Sequence, residues 1–209
     1  MTTSLPITDR TKLRRKPQRG SHERVEIDAL LDEALICHVG FVSDHGPVVI
    51  PTTHVRVADH LYIHGSAASH MLRSLAGGID VSVCATLLDE LVLSRTAFHH
   101  SVNYRSVVLF GRAELIEDTA TKLTALAALI DRVVPGRSSA CRPPNTKELA
   151  ATSVLGLAIT EASAKARTGP PLADKGEDRA LPYWAGVIPL HSSRGTPVNA
   201  PDCKIAWPG

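Results

Sequence analysis

The sequence predicts a mostly β protein with flanking helices, an antiparallel barrel of the α+β class. Six segments rich in β-branched and other apolar residues are bounded by turn residues: 36–44, 48–57, 61–64, 79–94, 103–118 and 153–159. Most consecutive segments are joined by only a few residues, too few for the crossover helix that a parallel sheet requires. Helical periodicity is limited to three segments, which predicts helices packed outside the barrel.

The first predicted helix covers residues 21–34, where Ser21 can act as the N-cap. Its apolar residues at helical spacing predict the buried face: Val25, Ala29, Leu30 and Leu31. The second helix opens in the small residues from Gly65 onward and is stopped by Gly77-Gly78.

A third helix is predicted over residues 119–134, with Asp118 or Thr119 as its cap and Pro135-Gly136 at its end. The polar segment 137–147 that follows is expected to be a loop.

Three positions predict irregular features in the strands. Pro51 cannot donate a ladder hydrogen bond, so its place should be an edge, a bulge or a barrel corner. The run 88–90 interrupts a long apolar segment and predicts a kink. Gly111 lies inside another strand and predicts a bulge.

The chain is predicted to contain a basic N-terminal arm (1–20), a barrel domain (21–190) and a C-terminal tail (191–209). Its 209 residues suit one domain with appendages. Because the arm is polar, it is expected to have little structure of its own. It carries six cations: Arg10, Lys12, Arg14, Arg15, Lys16 and Arg19.

Charge and cysteine usage exclude several classes of protein. A net charge of +2, without a long basic run beyond the arm, argues against nucleic acid as the main partner. No stretch reaches the roughly 18 apolar residues of a membrane span, and no secretory signal is visible. The four cysteines are far apart and form no CxxC pair, as in reduced thiols. We therefore expect a cytoplasmic protein that does not insert in a membrane.

Ten histidines invite a metal hypothesis, but no HxH, HExxH or HxxxH cluster with supporting carboxylates occurs. We therefore expect no metal site. His54 and His64 fall on neighbouring predicted strands, yet two ligands do not complete a site.

Small and hydroxyl residues precede the second predicted helix, where unpaired backbone N–H groups favour an anion. Ser66 and Ser69 add hydroxyl donors, and His70 and Arg73 add possible cations. This pattern indicates either an anion pocket or a simple serine N-cap.

No nucleophile motif, Walker loop or dinucleotide fingerprint occurs, so any reaction would depend on a bound organic cofactor. Polar donors flank the loop between two strands that should pair as a hairpin, and Arg is suited to phosphate or carbonyl oxygen.

Seven motifs occur in an order that resembles the pyridoxamine 5′-phosphate oxidase-like flavoproteins: Arg19-Gly20, HVGF (38–41), VIPTT (49–53), LYIHGS (61–66), NYRSVVLFGRAE (103–114), SAKARTGPP (163–171) and WAGVIPL (184–190). The resemblance covers residues 14–190. It is closest to the flavin-nucleotide-binding branch that includes the nitroimidazole-resistance proteins. It implies an FMN-binding split β-barrel and a homodimer with the flavin at the subunit interface.

The resemblance also implies which residues contact the flavin. The isoalloxazine edge would lie along three residues: Ile50, Pro51 and Thr52. The ribityl phosphate would be surrounded by five: His64, Gly65, Ser66, Ser69 and His70. The pyrimidine ring would be near three more: Asn103, Arg105 and Ser106. Trp184 would cover a flavin face, from the second subunit.

One departure concerns His70, which stands where relatives often carry Lys. The Arg and His pattern specific for pyridoxamine phosphate is also absent, so oxidation of that compound is not expected.

The sequence and the resemblance support two alternative functions, and a third is retained as a hypothesis to be tested. The first is an FMN-dependent oxidoreductase that exchanges hydride or electrons with a small molecule at flavin N5. The second is a non-catalytic flavin or haem carrier or sensor. Its candidate axial ligands are His54, His64, His99 and His100. The third is a nucleic-acid binder that uses the arm cations of residues 10–19.

Overall fold

The computed structural model describes residues 4–172 and 175–207. Within these residues the chain forms a barrel of antiparallel strands with α-helices outside it. The strands are β1 (Gly20–Ser21), β2 (Ile36–Ser43), β3 (Gly46–Val57), β4 (His60–Ser66), β5 (Asp80–Leu93), β6 (Ser101–Arg112), β7 (Glu114–Leu115), β8 (Thr152–Ala158), β9 (Ala162–Arg167) and β10 (Gly186–Pro189). The helices are α1 (Arg24–Glu33), α2 (His70–Ala76), α3 (Thr119–Val133) and α4 (Thr146–Ala151). The predicted fold class is confirmed.

One continuous strand order builds the barrel: β1-β9-β6-β5-β2-β3-β4-β8-β7, with β10 beside β5. Strand β3 takes part in both halves, because Thr53 pairs with β2 whereas His54 pairs with β4. The chain passes from β6 to β7 over one buried residue, Ala113. Since β6 and β7 lie towards opposite ends of the strand order, this short link closes the sheet into a barrel.

Two of the three predicted irregularities are confirmed. Pro51 lies opposite His38 in the half of β3 that pairs only with β2, so this half is an open edge. The pairing of β5 with β6 shifts register between Leu88 and Glu90, which is the predicted kink.

The bulge predicted at Gly111 is wrong, because Gly111 pairs with Val81 in unbroken register. A Cβ atom on Gly111 would lie 2.8 Å from Cδ1 of Leu157, so glycine is needed here for close packing inside the barrel.

Aliphatic side chains fill the barrel interior, as the alternating strands predict. Val39, Leu61, Leu109 and Leu155 are all at most 1% exposed. The void that remains among the interior side chains has a volume of about 10 Å³. A ligand of organic size must therefore bind outside the barrel.

Helix α1 begins at Arg24, because Gly20 and Ser21 pair with β9 as strand β1 and cannot join the helix. Its buried residues are Ile27, Leu30 and Leu31. The predicted face was therefore half wrong: Val25 and Ala29 are exposed, and the prediction that Ser21 is the N-cap was wrong because Glu23 holds that position.

Helix α2 begins at His70 and not at Gly65, and it is only seven residues long. Gly65 and Ser66 are the last residues of β4, where they pair with Ser153 and Thr152 of β8. The predicted stop at Gly77 is confirmed.

Helix α3 packs across the outer face of β3, β4 and β8. Asp118 caps it as predicted, since its carboxylate accepts a hydrogen bond from the backbone N–H of Thr121 at 2.8 Å. Ala125 and Leu129 are the residues of α3 buried in this contact. The predicted loop 137–147 instead contains a 3-10 turn, and α4 starts at Thr146.

The N-terminal arm lies against the barrel from residue 4 onward, which differs from the expected tail. Thr11 is 1% exposed, and the guanidinium of Arg10 forms an ion pair with Glu161 and lies over the ring of Phe110. Residues 191–207 form no strand or helix. No helix in the part of the chain described is long and apolar enough to cross a membrane.

Candidate functional site

A cavity of about 700 Å³ lies between α3 and the outer face of β3, β4 and β8, and is termed the α3 cavity. Helix α3 contributes a row of aliphatic side chains spaced three or four residues apart: Leu123, Leu126, Ala127 and Ile130. The strands contribute Thr53, His64 and Thr152, and Pro143 and Pro144 close one side. Its walls are therefore largely apolar, and its size is that of an organic cofactor site.

His64 is the histidine that lines the α3 cavity. The residue is half-buried, and its Nδ1 is buried without a hydrogen-bond partner among the described residues. Burial lowers the pKa of His64 from its ordinary value, so the ring is neutral at pH 7. A neutral imidazole is the form that binds a metal ion.

The rim of the α3 cavity is polar. Arg142 forms a salt bridge with Glu148 at 2.7 Å, and Glu148 also accepts a hydrogen bond from the backbone N–H of Asn145. The hydrogen bond from Arg142 is the main cause that lowers the pKa of Glu148 to about 2. The site thus combines an apolar interior with a cation at its mouth.

The predicted isoalloxazine residues lie on the open edge of β3. Ile50 is half-buried against the barrel core, Pro51 is exposed and Thr52 is half-buried. Because this half of β3 pairs with β2 only, part of its backbone is free to contact a ligand. Thr53 is the next residue and lines the α3 cavity, so the edge and the cavity are adjacent.

The predicted phosphate residues gather where β4 ends. Ser69 N–H donates to the carbonyl of Ser66 at 2.8 Å, and Ala68 N–H donates to the Ser66 hydroxyl at 3.2 Å. Ser69 stands before α2 and makes no capping hydrogen bond with its side chain, and His70 is exposed. Gly65 and Ser66 are strand residues, so the predicted helix start at Gly65 is wrong, and the N-terminus of α2 lies at Ser69, which holds the N-cap position.

The predicted pyrimidine residues on β6 already have protein partners. Asn103 is 1% exposed, accepts a hydrogen bond from Arg167, and donates to Glu90 and to the carbonyl of Gly169. The hydroxyl of Ser106 donates to the carbonyl of Lys165 at 3.3 Å. Contact of these groups with a flavin stays a prediction.

Arg105 lies between two carboxylates. Its guanidinium donates to Glu33 and to Asp89, in each case at 2.8 Å. Hydrogen bonds with Glu33, and then Asp89, raise the pKa of Arg105 above its ordinary value. The residue forms a wall of two surface cavities of about 760 and 680 Å³ on either side of it. Its charge is neutralised locally.

Within one chain, the predicted flavin residues fall into two separate groups, one on β3 and after β4 and the other on β6. Strands β5 and β2 lie between β6 and β3 in the strand order. At about 4.8 Å between neighbouring strands, β6 and β3 are about 14 Å apart along the curved sheet. Trp184 precedes β10, is 63% exposed, and lies with its ring against Gly186.

The other histidines proposed as haem ligands have different surroundings. His54 is fully buried, and its Nε2 is 3.0 Å from the carbonyl oxygen of Leu31, as expected of a core histidine. His99 contacts the ring of Phe98, and Nδ1 of His100 is 3.1 Å from the carbonyl of Thr96. Among the described residues no group of three or more His, Cys, Asp or Glu side chains is arranged to hold a metal ion.

Sequence reasoning named His64 but missed the α3 cavity and the other residues that wall it. The signal was present: apolar residues of α3 occur on two faces, and Leu123, Leu126 and Ile130 lie on the face turned from Ala125. A helix that needs only one buried face for packing leaves the second available to a ligand.

An antiparallel barrel, an open strand edge and an apolar cavity that contains one histidine define a small barrel protein with a cavity of cofactor size. The chain belongs to the pyridoxamine 5′-phosphate oxidase family, whose model matches residues 23–166. The predicted family is therefore confirmed. A comparison with curated proteins found no match.

Several solved structures are similar to this chain. The flavocytochrome Anf3 from Azotobacter vinelandii is 40% identical, with a TM-score of 0.89, 96% of this chain covered and 94% of that chain. An FAD and haem binding protein from Mycobacterium smegmatis is 43% identical, with a TM-score of 0.84 and coverage of 88% and 90%. A candidate 5-nitroimidazole antibiotic resistance protein from Bacteroides thetaiotaomicron, 20% identical with a TM-score of 0.58 and coverage of 70% and 86%, shows the fold alone.

Proposed function

We propose that this protein is a redox protein that binds a flavin at the β3 edge and a haem in the α3 cavity. The observation that carries the proposal is the neutral, unpartnered imidazole of His64 inside an apolar cavity of about 700 Å³. Two relatives at 40% and 43% identity are named for a flavocytochrome and for FAD and haem binding, which supports both cofactors.

The residues of the α3 cavity fit a haem. His64 would bind the iron, and the aliphatic row of α3 would contact the macrocycle and exclude water. Arg142 at the rim is placed to exchange its partner Glu148 for a propionate. When bound, a haem supplies one-electron chemistry and a flavin supplies one- or two-electron chemistry.

The β3 edge fits a flavin through backbone groups and the turn after β4. Free backbone groups beside Pro51 and Thr52 can hydrogen-bond the ring, and Ser66 and Ser69 bring hydroxyls near its phosphate end. FMN is the flavin that the sequence predicted, whereas the name of the Mycobacterium smegmatis relative favours FAD.

The polar side chains favour electron exchange over acid–base chemistry. Asn103 and Arg105 are occupied by protein partners, and Glu148, the carboxylate that lines the α3 cavity, is held by Arg142 and by the backbone N–H of Asn145. We propose an oxidoreductase in which flavin N5 exchanges hydride or electrons with a small molecule, in a cytoplasmic protein. A non-catalytic flavin or haem carrier differs from it only in lacking turnover.

A homodimer is part of the proposal. Because about 14 Å separates β6 from β3 within one chain, a second copy would bring its own β6 residues or Trp184 to the flavin. Exposed apolar side chains near the β3 edge support an interface: Ile36, Val42, Val49 and Leu88.

An absorption spectrum of the purified protein tests the proposal directly. We expect a Soret band together with flavin bands after expression with added haem precursor. Boiling would release the flavin, and chromatography of the extract separates FMN from FAD. Protein that stays colourless after incubation with haemin, FMN and FAD would refute both cofactor assignments.

Addition of NADH or NADPH without oxygen then separates enzyme from carrier. Bleaching of the flavin bands on a seconds timescale supports an oxidoreductase. A spectrum that responds only to a chemical reductant supports the carrier.

A further inference from the structure

A groove of about 680 Å³ lies between the N-terminal arm and β9, and is termed the arm groove. Arg19 and Lys165 line it from two sides, and Leu30 and Ala164 form an apolar part of its wall. Glu26 is the acidic residue on its wall. The arm groove is separate from the α3 cavity, since the two share no lining residue.

Two of the three cations that line the arm groove, Arg19 and Lys165, lack acidic partners, whereas the third, Arg105, is paired with Glu33 and Asp89. Neither Arg19 nor Lys165 makes a salt bridge with any of the residues that the structure describes. The ammonium of Lys165 donates to the carbonyl of Arg15 at 3.1 Å, which leaves its charge uncompensated. By contrast, Arg10 and Arg24 elsewhere on the surface are paired with carboxylates.

Like charges accumulate beside the same groove. Repulsion from Arg19, the largest cause, and from Arg15, Arg167 and Lys165 lowers the pKa of Lys16. A positive potential of this kind attracts a multiply charged anion.

The backbone of the arm is held in this arrangement. Lys16 has φ 53° and ψ 59°, a left-handed conformation that is unfavourable for a residue with a Cβ atom. Gly20 packs so closely on Leu13 that a Cβ atom would lie 1.8 Å from its Cδ1. Strain maintained by surrounding contacts is typical of ligand sites.

We propose that the arm groove binds the diphosphate of a nucleotide, with Arg19 and Lys165 on the phosphates and the apolar wall beside the organic part. Arg and Lys are the side chains that bind phosphate most strongly. Two sources share this chemistry: FAD, which rests on the proposed function and whose diphosphate would then lie here and not beside Ser66 and Ser69, and a separate nicotinamide dinucleotide that serves as electron donor.

Calorimetric titration with ADP tests the inference on the purified full chain, both as isolated and after removal of flavin. Arg19→Ala and Lys165→Ala should each weaken ADP binding roughly tenfold, because each removes one charge-assisted contact. Arg137→Ala and Lys147→Ala are matched controls, since both remove an exposed cation away from the groove and should leave the affinity unchanged. Lys165→Arg should restore binding, which excludes misfolding as the cause.

The pattern of binding identifies the source of the diphosphate. ADP that binds only flavin-free protein and competes with FAD, but not with FMN, supports the FAD source. ADP that binds equally with and without flavin supports a separate dinucleotide. Absence of ADP binding in both states, or equal affinity in the Arg19 and control variants, overturns the inference. A colourless protein that still binds ADP through Arg19 would refute the cofactor proposal and retain this one.

Discussion

The α3 cavity and the arm groove have nearly equal volumes on the same barrel, but opposite chemistry. The α3 cavity is walled by aliphatic residues around one neutral imidazole, His64. The arm groove is lined by two cations without an acidic partner, Arg19 and Lys165, and by Arg105, which is paired with carboxylates. A ligand of the first is held by desolvation and one directional bond, whereas a ligand of the second is held by charge. The two sites should therefore respond differently to mutation, salt and pH.

The largest effect is expected from His64→Ala. If His64 is the proposed iron ligand, its loss should reduce haem retention by at least about tenfold and shift the Soret band, because the apolar wall alone would leave the iron without an imidazole. Haem content of the purified variant by absorption is the measurement. Flavin content should be unchanged.

Two histidine variants serve as controls for His64. His60→Ala alters an exposed imidazole on the same strand and should retain haem. His70→Ala alters the exposed imidazole at the start of α2. Loss of haem in the His70 variant, with haem retained in the His64 variant, would assign the ligand to His70 and show that our assignment is wrong.

Two leucines of α3 differ in how deeply they pack. Leu129 lines the α3 cavity but is only 5% exposed and belongs to the buried cluster against the strands, so Leu129→Ala should lower the free energy of unfolding by about 2–5 kcal/mol with or without haem. Leu126 lines the α3 cavity, so Leu126→Ala should cost less in cofactor-free protein and should weaken haem binding. Urea unfolding and haem titration measure the two quantities. Equal unfolding costs for both variants would mean that the cavity face of α3 is packed like the core.

Salt should weaken ligand binding in the arm groove and should have little effect on ligand binding in the α3 cavity. Between about 0.1 M and about 1 M salt the Debye length falls from about 10 Å to about 3 Å. We expect the affinity for ADP to fall roughly tenfold over this range, while haem retention changes less than about twofold. If haem retention fell with salt as steeply as the affinity for ADP, the proposed difference between the two sites would be wrong.

The smallest effect is a pH dependence of stability from the two buried histidines. Burial lowers the pKa of both His54 and His64 below the ordinary value of 6.5, so the unfolded chain binds more protons near and below that pH. The free energy of unfolding should be constant above the ordinary pKa and should fall as the pH drops below it. Urea unfolding at several pH values measures this. His54→Gln should flatten the decline, and His45→Gln, which alters an exposed imidazole, should not.

Strand positions and local irregularities were predictable because their causes are local. The alternation of apolar residues marks the strands, and the missing N–H of Pro51 marks an edge whatever the partner is. The kink before Glu90 followed in the same way from a polar interruption of an apolar run.

Features that depend on distant partners were not predictable. Gly65 and Ser66 have the composition of a helix start, yet pairing with β8, which follows almost ninety residues later, keeps them in a strand. The partner of Arg105, Glu33, is 72 residues away in sequence. The predicted site residues were grouped by motif, and motif order carries no information about which of them already have a hydrogen-bond partner.

The segment that forms most of the wall of the α3 cavity connects two neighbouring strands of the barrel. Residues 119–151 begin after β7 and end at β8, and these two strands are paired through Glu114 and Gly156. This segment therefore starts and ends at adjacent places in the sheet, as an insertion in a single connection between two strands does. Its length and side chains can vary during evolution without moving a barrel strand, so related barrels can gain or lose this compartment independently of the β3 edge.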